Sequence, residues 1–375
     1  MNKKLNILIT SATWKSALTC MRSLAKKGHS ISLISSSLYT PSLYSKFCKE
    51  KIVSPNEKDK TVYLEFINKL VCSGKYDLLI PISDLCIEYF SEIREELVKN
   101  IKIVLPAKKC IDLARNKANT YRFAIENNIP IPRTYFPKSV SDVEKISKEI
   151  GFPCVVKEVN GTGGSGNSYI NNKRDLISLF KESTPGNNWP VVQEFINGKF
   201  FGFTAVCNKG ELLDYFMYEV LKQSPETGGI TVIARSIHDE RILALSKKLI
   251  EKLSWNGAID LDIFQTAKGE TILLEINPRL SGAIQFAYAC KVDLPLKYMK
   301  LAFNDNGEVG AMQYKTGIYY QGIFTEWVNV CQKNKKNIST FLKNIILRRN
   351  HYDFSLLDPK LLFWQLKQAK WIFFS

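Results

Sequence analysis

Residues 271–282 read TILLEINPRLSG, and the fold turns on how this stretch is read. Apolar residues lead up to Glu275, as in a buried strand, and then Asn277, Pro278 and Arg279 follow. An unpaired charge inside a core costs several kcal/mol, so a carboxylate, an amide and a guanidinium crowded at a strand end demand a partner. Just upstream, GAIDLDIFQ (257–265) sets Asp260 and Asp262 two residues apart. Strand alternation puts both on one face, and it does the same for Glu275 and Asn277. If the two runs pair as a hairpin through TAKGE (266–270), then Asp262, Glu275 and Asn277 converge.

Three oxygen-bearing side chains at one point suit Mg²⁺, which prefers oxygen ligands, retains waters and often bridges protein to phosphates. A metal with bound phosphates answers the demand for a partner, with Arg279 facing the phosphate charge. The competing reading, solvated acids on an outer face, fits poorly with the apolar flanks AIDLDIF and TILLEIN.

Further upstream, Lys157 closes the strand PCVVK directly before NGTGGSGNS (160–168), whose glycines are Gly161, Gly163, Gly164 and Gly166. Glycines let backbone amides approach phosphate oxygens, and a lysine at the strand end adds charge. No GKS or GKT follows, so this is not a Walker A loop. The stretch VVQEFING (191–198) reads either as an ordinary strand and turn or as an edge able to pair with an adenine ring.

The first hundred residues alternate short apolar runs (LNILIT, SISLISS, DLLIPIS, IKIVLP) with amphipathic stretches, which predicts a parallel α/β sheet. MNKKLNILIT reads as a first strand rather than a signal peptide. The turn TSATWKS lacks GxGxxG, so it gives no support to dinucleotide binding. Ser11 and Ser16 there are read as caps of the following helix in preference to an anion site. CIDLARNKANTYRFAIENNIPIP (110–132) reads as a helix closed by its two prolines, SVSDVEKISKEIG (139–151) as another, and DERILALSKKLIEKLS (239–254) as a third.

Composition bounds the rest. The chain has 375 residues, 45% of them apolar, enough for two or three domains. Nine scattered cysteines without a CxxC pair point to reduced thiols in a cytosolic protein. The net charge of +16 comes without a nucleic-acid motif and is read as a basic surface that also attracts small anions. No stretch of roughly 18 apolar residues is free of charge, so a spanning helix is not expected. Residues 333–350 hold six Lys or Arg and no acid, and DPKLLFWQLKQAKWIFFS (358–375) is aromatic and lysine-punctuated. That tail reads equally as an interfacial membrane helix or as a helix packing on the body.

Taken in order, Lys117, the VVK ending at Lys157, the glycine loop, VQEFING, Asp262 and LLEINPR resemble the ATP-grasp superfamily over roughly residues 1–310. The likeness is greatest to the branch of carbamoyl-phosphate synthetase and biotin carboxylase. It implies an N-terminal Rossmann-like α/β domain (1–112), two α+β subdomains gripping ATP (113–190 and 191–310, the second with the metal site) and a C-terminal extension (311–375). It further implies that Lys117 and Lys157 contact phosphates and that the loop of Gly161, Gly163, Gly164, Ser165 and Gly166 closes over them. Glu194, Phe195 and Ile196 would meet the adenine, Asp262, Glu275 and Asn277 would hold Mg²⁺ (or Mn²⁺), and Arg279 would face the transferred phosphate or the acceptor.

TGGITVIARS (227–236) resembles a segment of related proteins and makes Arg235, and more weakly Lys222, candidates for phosphate or carboxylate binding. The chain departs from the family in two places. GKFFGF, with Phe200, stands where a ribose-binding Glu is frequent, and Asp262 stands where the first metal ligand is more often Glu.

The expected activity is carboxylate–amine ligation through an acylphosphate, without a protein nucleophile, consistent with the lack of any Ser-His-Asp or Cys-His pattern around His29, His238 and His351. The alternatives are an ATP-dependent phosphotransferase and a non-catalytic nucleotide-binding or membrane-docking protein. Small-molecule acids and amines are the expected partners, with no nucleic acid. A homodimer and peripheral contact of the tail with the inner membrane face are left open for an otherwise cytoplasmic protein.

Overall fold

The computed structural model describes residues 3–160, 166–182, 189–224, 229–305, 314–323, 350–352 and 358–364. Strand β1 (Asn6–Ile9), helix α1 (Lys15–Lys26), β2 (Ser30–Ser35), β3 (Glu50–Val53), α2 (Lys60–Cys72) and β4 (Leu78–Ile80) build a parallel sheet in the order β3-β2-β1-β4. Strands β1, β2 and β4 are almost wholly buried, as their apolar runs require of a sheet covered on both faces, while the edge strand β3 alternates half-buried and exposed residues. Helices α3 (Asp84–Glu92), α4 (Arg94–Asn100) and α5 (Lys108–Arg115) complete this N-terminal domain. The expected Rossmann-like organisation and the strand at the N-terminus are therefore both present.

The start of α1 differs from expectation. Its N-cap is Trp14, without a side-chain capping bond. Ser11 sits at φ 52° and donates its hydroxyl to Glu57 Oε1 at 2.6 Å, while the buried Ser16 Oγ has no partner. Neither serine caps the helix, and the carboxylate beside Ser11 would repel an anion there.

The stretch 110–132 is two helices rather than one. Asn116 is extended (φ −118°, ψ 104°) and its side chain caps α6 (Lys117–Glu126) by accepting from the Asn119 amide. Asparagine favours this local bond over helix continuation, so the apolar period runs through a break it does not reveal.

Next come β5 (Thr134–Tyr135), α7 (Val140–Glu149), β6 (Cys154–Lys157), β7 (Asn167–Ile170), α8 (Lys173–Glu182) and β8 (Val191–Glu194). They form a second sheet in the order β5-β8-β6-β7 with α7 and α8 packed together over it. Strand β8 pairs with both β5 and β6 and so belongs to this second sheet.

The third sheet takes β9 (Gly198–Asn208), β10 (Glu211–Ser224), β11 (Ile230–Ser236), β12 (Gly257–Thr266), β13 (Thr271–Asn277), β14 (Tyr319–Gln321) and β15 (Asn350–Tyr352) in the order β13-β12-β9-β10-β11-β14-β15. Helix α9 (Glu240–Lys252) covers one face around Trp255, while α10 (Ile284–Ala289) and α11 (Leu294–Ala302) join the other face to α1. Strands β14 and β15, from the part of the chain after residue 310, pair at the edge of this sheet.

Residues 358–364 dock on the N-terminal domain. Leu361 is buried, Trp364 stacks on Tyr44 at 4.1 Å, and Asp358 lies 3.7 Å from Arg22. Among the described residues no helix is long and apolar enough to cross a membrane.

Candidate active site

The predicted hairpin of β12 and β13 forms, pairing Asp260 with Asn277 and Asp262 with Glu275. Directly opposed residues of an antiparallel pair share a face, so all four polar side chains stand together. That face lines a cavity of about 580 Å³ running between the second and third sheets. Lys157, Gln193 to Gly198, Phe200, Phe264, Leu274, Asp260, Asp262, Glu275, Asn277 and Arg279 all contribute to its wall.

The break at Asn116 sets Lys117 at the first position of α6. Its amide donates to the Val159 carbonyl at 3.0 Å, and its buried Nζ lies 3.2 Å from Glu275 Oε1. Lys117 does not itself line the cavity and reaches it through Glu275. One turn on, Tyr121 donates its hydroxyl to the Leu274 carbonyl at 2.8 Å and accepts from Lys157 Nζ at 2.9 Å. This tyrosine was not anticipated, although its i+4 spacing from Lys117 puts both on one helix face.

Charge crowding dominates the electrostatics. Burial pushes the Asp262 carboxyl well above the usual carboxylate range, and the neighbouring Glu275 and Asp260 carboxylates push it further. Burial raises Asp260 to about 6, with Arg279 and a 2.8 Å hydrogen bond from Ser281 pulling the other way. Burial pulls the Lys157 ammonium below its ordinary value despite Glu275 nearby. For Arg279 burial also acts downward, but Asp84, Asp260 and Asp262 more than offset it and raise the guanidinium.

Arg279 Nη2 donates to Asn277 Oδ1 at 3.3 Å, Nε donates to Asp84 Oδ1 at 3.0 Å, and the guanidinium lies over the Trp14 ring, 5.0 Å from its centre. Asp84 and Trp14 come from the N-terminal domain and carried no motif of their own.

The donor set fits a hard divalent cation. The Asp262 carboxyl, pushed upward by burial and by the neighbouring Glu275 and Asp260, stands beside Glu275 and the Asn277 amide oxygen, a set that such an ion would satisfy. Among the described residues no trio of His, Cys, Asp or Glu is already closed into a metal cage. Two carboxylates and one amide match an ion that keeps part of its shell for water and phosphate.

Other predicted residues are placed as follows. Glu194 accepts from the Arg133 amide at 2.8 Å and its own amide donates to the Arg133 carbonyl, while Phe195 lies edge-on to Tyr169. Gly166 adopts φ +86°, while Gly161, Gly163, Gly164 and Ser165 lie outside the described residues. Phe200 meets Phe264 edge to face at 5.5 Å, giving an aromatic surface where an acid was frequent in the resembling family.

Arg235 lies apart from the described cavity lining. It pairs across the strands with Glu219, which also holds Lys199 at 3.4 Å, and none of the three lines the cavity. Its neighbour Ala234 lines the cavity instead, so alternation turns Arg235 to the opposite face. Lys222 is likewise outside the lining, next to Gln223, which is in it.

Tyr218 replaces them on the cavity side. Cross-strand pairing runs from Glu275 through Asp262 and Gly202 to Tyr218. A Cβ on Gly202 would fall 2.1 Å from Tyr218 Cζ, so the ring lies flat over this glycine with its hydroxyl near the acids.

Comparison with known proteins adds a family. Residues 114–283 match the family model described as an ATP-grasp domain. The carbamoyl phosphate synthase large chain of Caldanaerobacter subterraneus subsp. tengcongensis is 26% identical over 245 residues, covering 62% of this chain and 22% of that one. The D-alanine–D-alanine ligase of Pseudomonas entomophila is 24% identical over 175 residues, covering 44% and 54%. The chain thus spans about a fifth to a half of the length of these relatives.

Among solved structures, the biotin carboxylase domain of Hydrogenobacter thermophilus 2-oxoglutarate carboxylase, seen with MgADP, ADP and bicarbonate, superposes with a TM-score of 0.68 at 18% identity. The match covers 85% of this chain and 74% of that one. N5-carboxyaminoimidazole ribonucleotide synthetase of Thermotoga maritima gives 0.61 at 18% identity, covering 83% and 78%.

Proposed function

We propose that this chain, whose residues 114–283 match the ATP-grasp domain model, is an ATP-dependent ligase joining a carboxylate to an amine. The observation that supports this reading most is the convergence of Asp262, Glu275, Asn277, Lys157 and Arg279 on one cavity between two sheets. In the proposed reaction a carboxylate oxygen of the acid attacks the γ-phosphorus of ATP, the bond to the bridging oxygen breaks and ADP leaves. The nitrogen lone pair of an amine then attacks the acyl carbon, phosphate departs, and the amine proton passes to solvent.

Asp262, Glu275 and Asn277 would hold Mg²⁺, with Mn²⁺ as an alternative, and the ion would supply charge neutralisation at the phosphates. Lys157 brings a fixed positive charge to the phosphate side of the cavity, and Lys117 fixes Glu275. The amide of Glu194 is already engaged, so its contribution to adenine would come from its carbonyl, next to Phe195 and Ile196. Arg279, fixed on two sides, would stabilise charge on the transferred group. Such preorganised donors in a dry site need no reorganisation during reaction. The loop 161–166 as a phosphate cover and a homodimeric state belong to the same proposal.

A phosphate-release assay with Mg·ATP and pools of carboxylates, each with and without an amine mixture, tests this reading. Release that requires both pools is expected. Phosphate retained on the acid without an amine would replace ligation by phosphoryl transfer.

A further inference from the structure

Beyond the metal set, the cavity continues toward the N-terminal domain, and its chemistry changes there. One wall is aromatic, formed by Tyr218, Phe286 and Tyr320. The Phe286 and Tyr320 rings lie 5.3 Å apart at 30°, and the Tyr218 ring lies 6.4 Å from Phe286 at 67°. Each is fixed: Tyr218 by its seat over Gly202, Tyr320 by a 3.1 Å hydrogen bond to Gln285, and Phe286 by its burial against Phe216. Two residues on from the motif's arginine, Ser281, Gly282 and Ala283 give the lining a floor of small side chains. A Cβ added at Gly282 would meet nothing within 4 Å, so open space lies above the floor.

The charges at this end are one-sided. Arg279 and Lys15 line it, and the carboxylates among the described lining residues here are Asp262 and Glu275, assigned to the metal set, and Asp260, which accepts from Ser281 at 2.8 Å beside Arg279. Glu194, on β8, lines the cavity from the second sheet, where the proposed function puts adenine. No uncommitted acid in that lining would receive an ammonium group, whereas Arg279, held by Asp84 through Nε and by Asn277 through Nη2, brings positive charge to the lining together with Lys15 and favours a carboxylate there.

We infer that this end of the cavity takes a carboxylic acid whose body is apolar and planar, with its carboxylate toward Arg279 and its ring between the wall of Tyr218, Phe286 and Tyr320 and the floor around Gly282. The inference rests on the ligase reading and specifies its acid. Removing a flat apolar group from water is favourable in proportion to the area covered, and offset or edge-on aromatic contacts add to that. A one-carbon acid would leave the wall uncovered, and an α-amino acid would bury an ammonium without a partner.

The test is calorimetric titration of the full chain with 3-phenylpropanoate, formate and glutamate, each without nucleotide and with Mg²⁺ plus a non-hydrolysable ATP analogue. We expect 3-phenylpropanoate to bind at least about tenfold more tightly than the other two. Gly282→Leu, which places its side chain in open space, should weaken 3-phenylpropanoate by about tenfold or more, with nucleotide affinity as the control for folding. Equal or tighter binding of formate or glutamate overturns the inference, as does unchanged 3-phenylpropanoate affinity in Gly282→Leu. Failure of the wild type to bind the Mg²⁺–nucleotide complex counts against the ligase reading, whereas the nucleotide-free titrations still decide the acid.

Discussion

Arg279 Nε lies 3.0 Å from Asp84 Oδ1, so the arginine ending the NPR motif is held by a carboxylate from the first turn of α3 in the N-terminal domain. Trp14 covers the guanidinium on another side, and Asn277 accepts from it on a third. A long side chain with three fixed contacts has lost its rotamer freedom before any substrate arrives.

Asp84→Asn therefore weakens the orientation of Arg279 while leaving the fold in place. We expect turnover to fall by about 10–100-fold, the range for loss of a supporting contact, with nucleotide affinity changed little. Asp84→Glu should recover part of the loss. Equal losses in turnover and in nucleotide affinity would assign Asp84 to general stability instead.

Glu275→Gln removes both a proposed metal ligand and the partner of Lys117. Turnover should fall by about 100-fold or more, the scale for loss of a fixed electrostatic contact. Titrating Mg²⁺ at constant nucleotide should show a weakened metal dependence, and an unaltered Mg²⁺ curve would remove Glu275 from the metal set.

Lys157 links function to stability with a defined sign. Its folded pKa is depressed chiefly by burial, so between that value and the unfolded value the unfolded chain binds more protons. The destabilisation is complete below the folded pKa and is relieved as pH rises through it toward the unfolded value. Lys157→Met should raise the melting temperature at neutral pH, flatten its rise on the alkaline side and weaken nucleotide binding. A lower melting temperature would mean that the charge stabilises the unliganded fold.

Trp364→Ala tests the docked segment. Losing the stack on Tyr44 should cost about 0.5–1.5 kcal/mol, read as a lower melting temperature. Association with anionic vesicles should not change, since the ring already faces the N-terminal domain. Reduced vesicle binding at an unchanged melting temperature would favour the interfacial reading of the tail.

The grouping of Asp260, Asp262, Glu275 and Asn277 was legible because strand alternation fixes which side chains share a face, and all four obey it. The same rule, applied to Arg235, would have excluded it from the cavity once Ala234 was known to face inward, but sequence does not say which face of β11 is lined. Asp84 and Trp14 were illegible for another reason. Asp84 meets Arg279 across 195 positions of chain, and no local spacing encodes that approach. The break before Lys117 was hidden because an apolar period continues through it and only the capping habit of Asn116 marks it. Strands β14 and β15 are three residues each, too short to declare a period.

The corner at Lys117 carries a mechanical consequence. Its amide is bonded to Val159, just beyond β6, and its ammonium to Glu275 on β13, while Tyr121 in the same helix bridges Lys157 and Leu274. Helix α6 therefore rivets the two gripping sheets together at one point. A change in the separation of the two sheets must therefore either break these bonds or pivot about them.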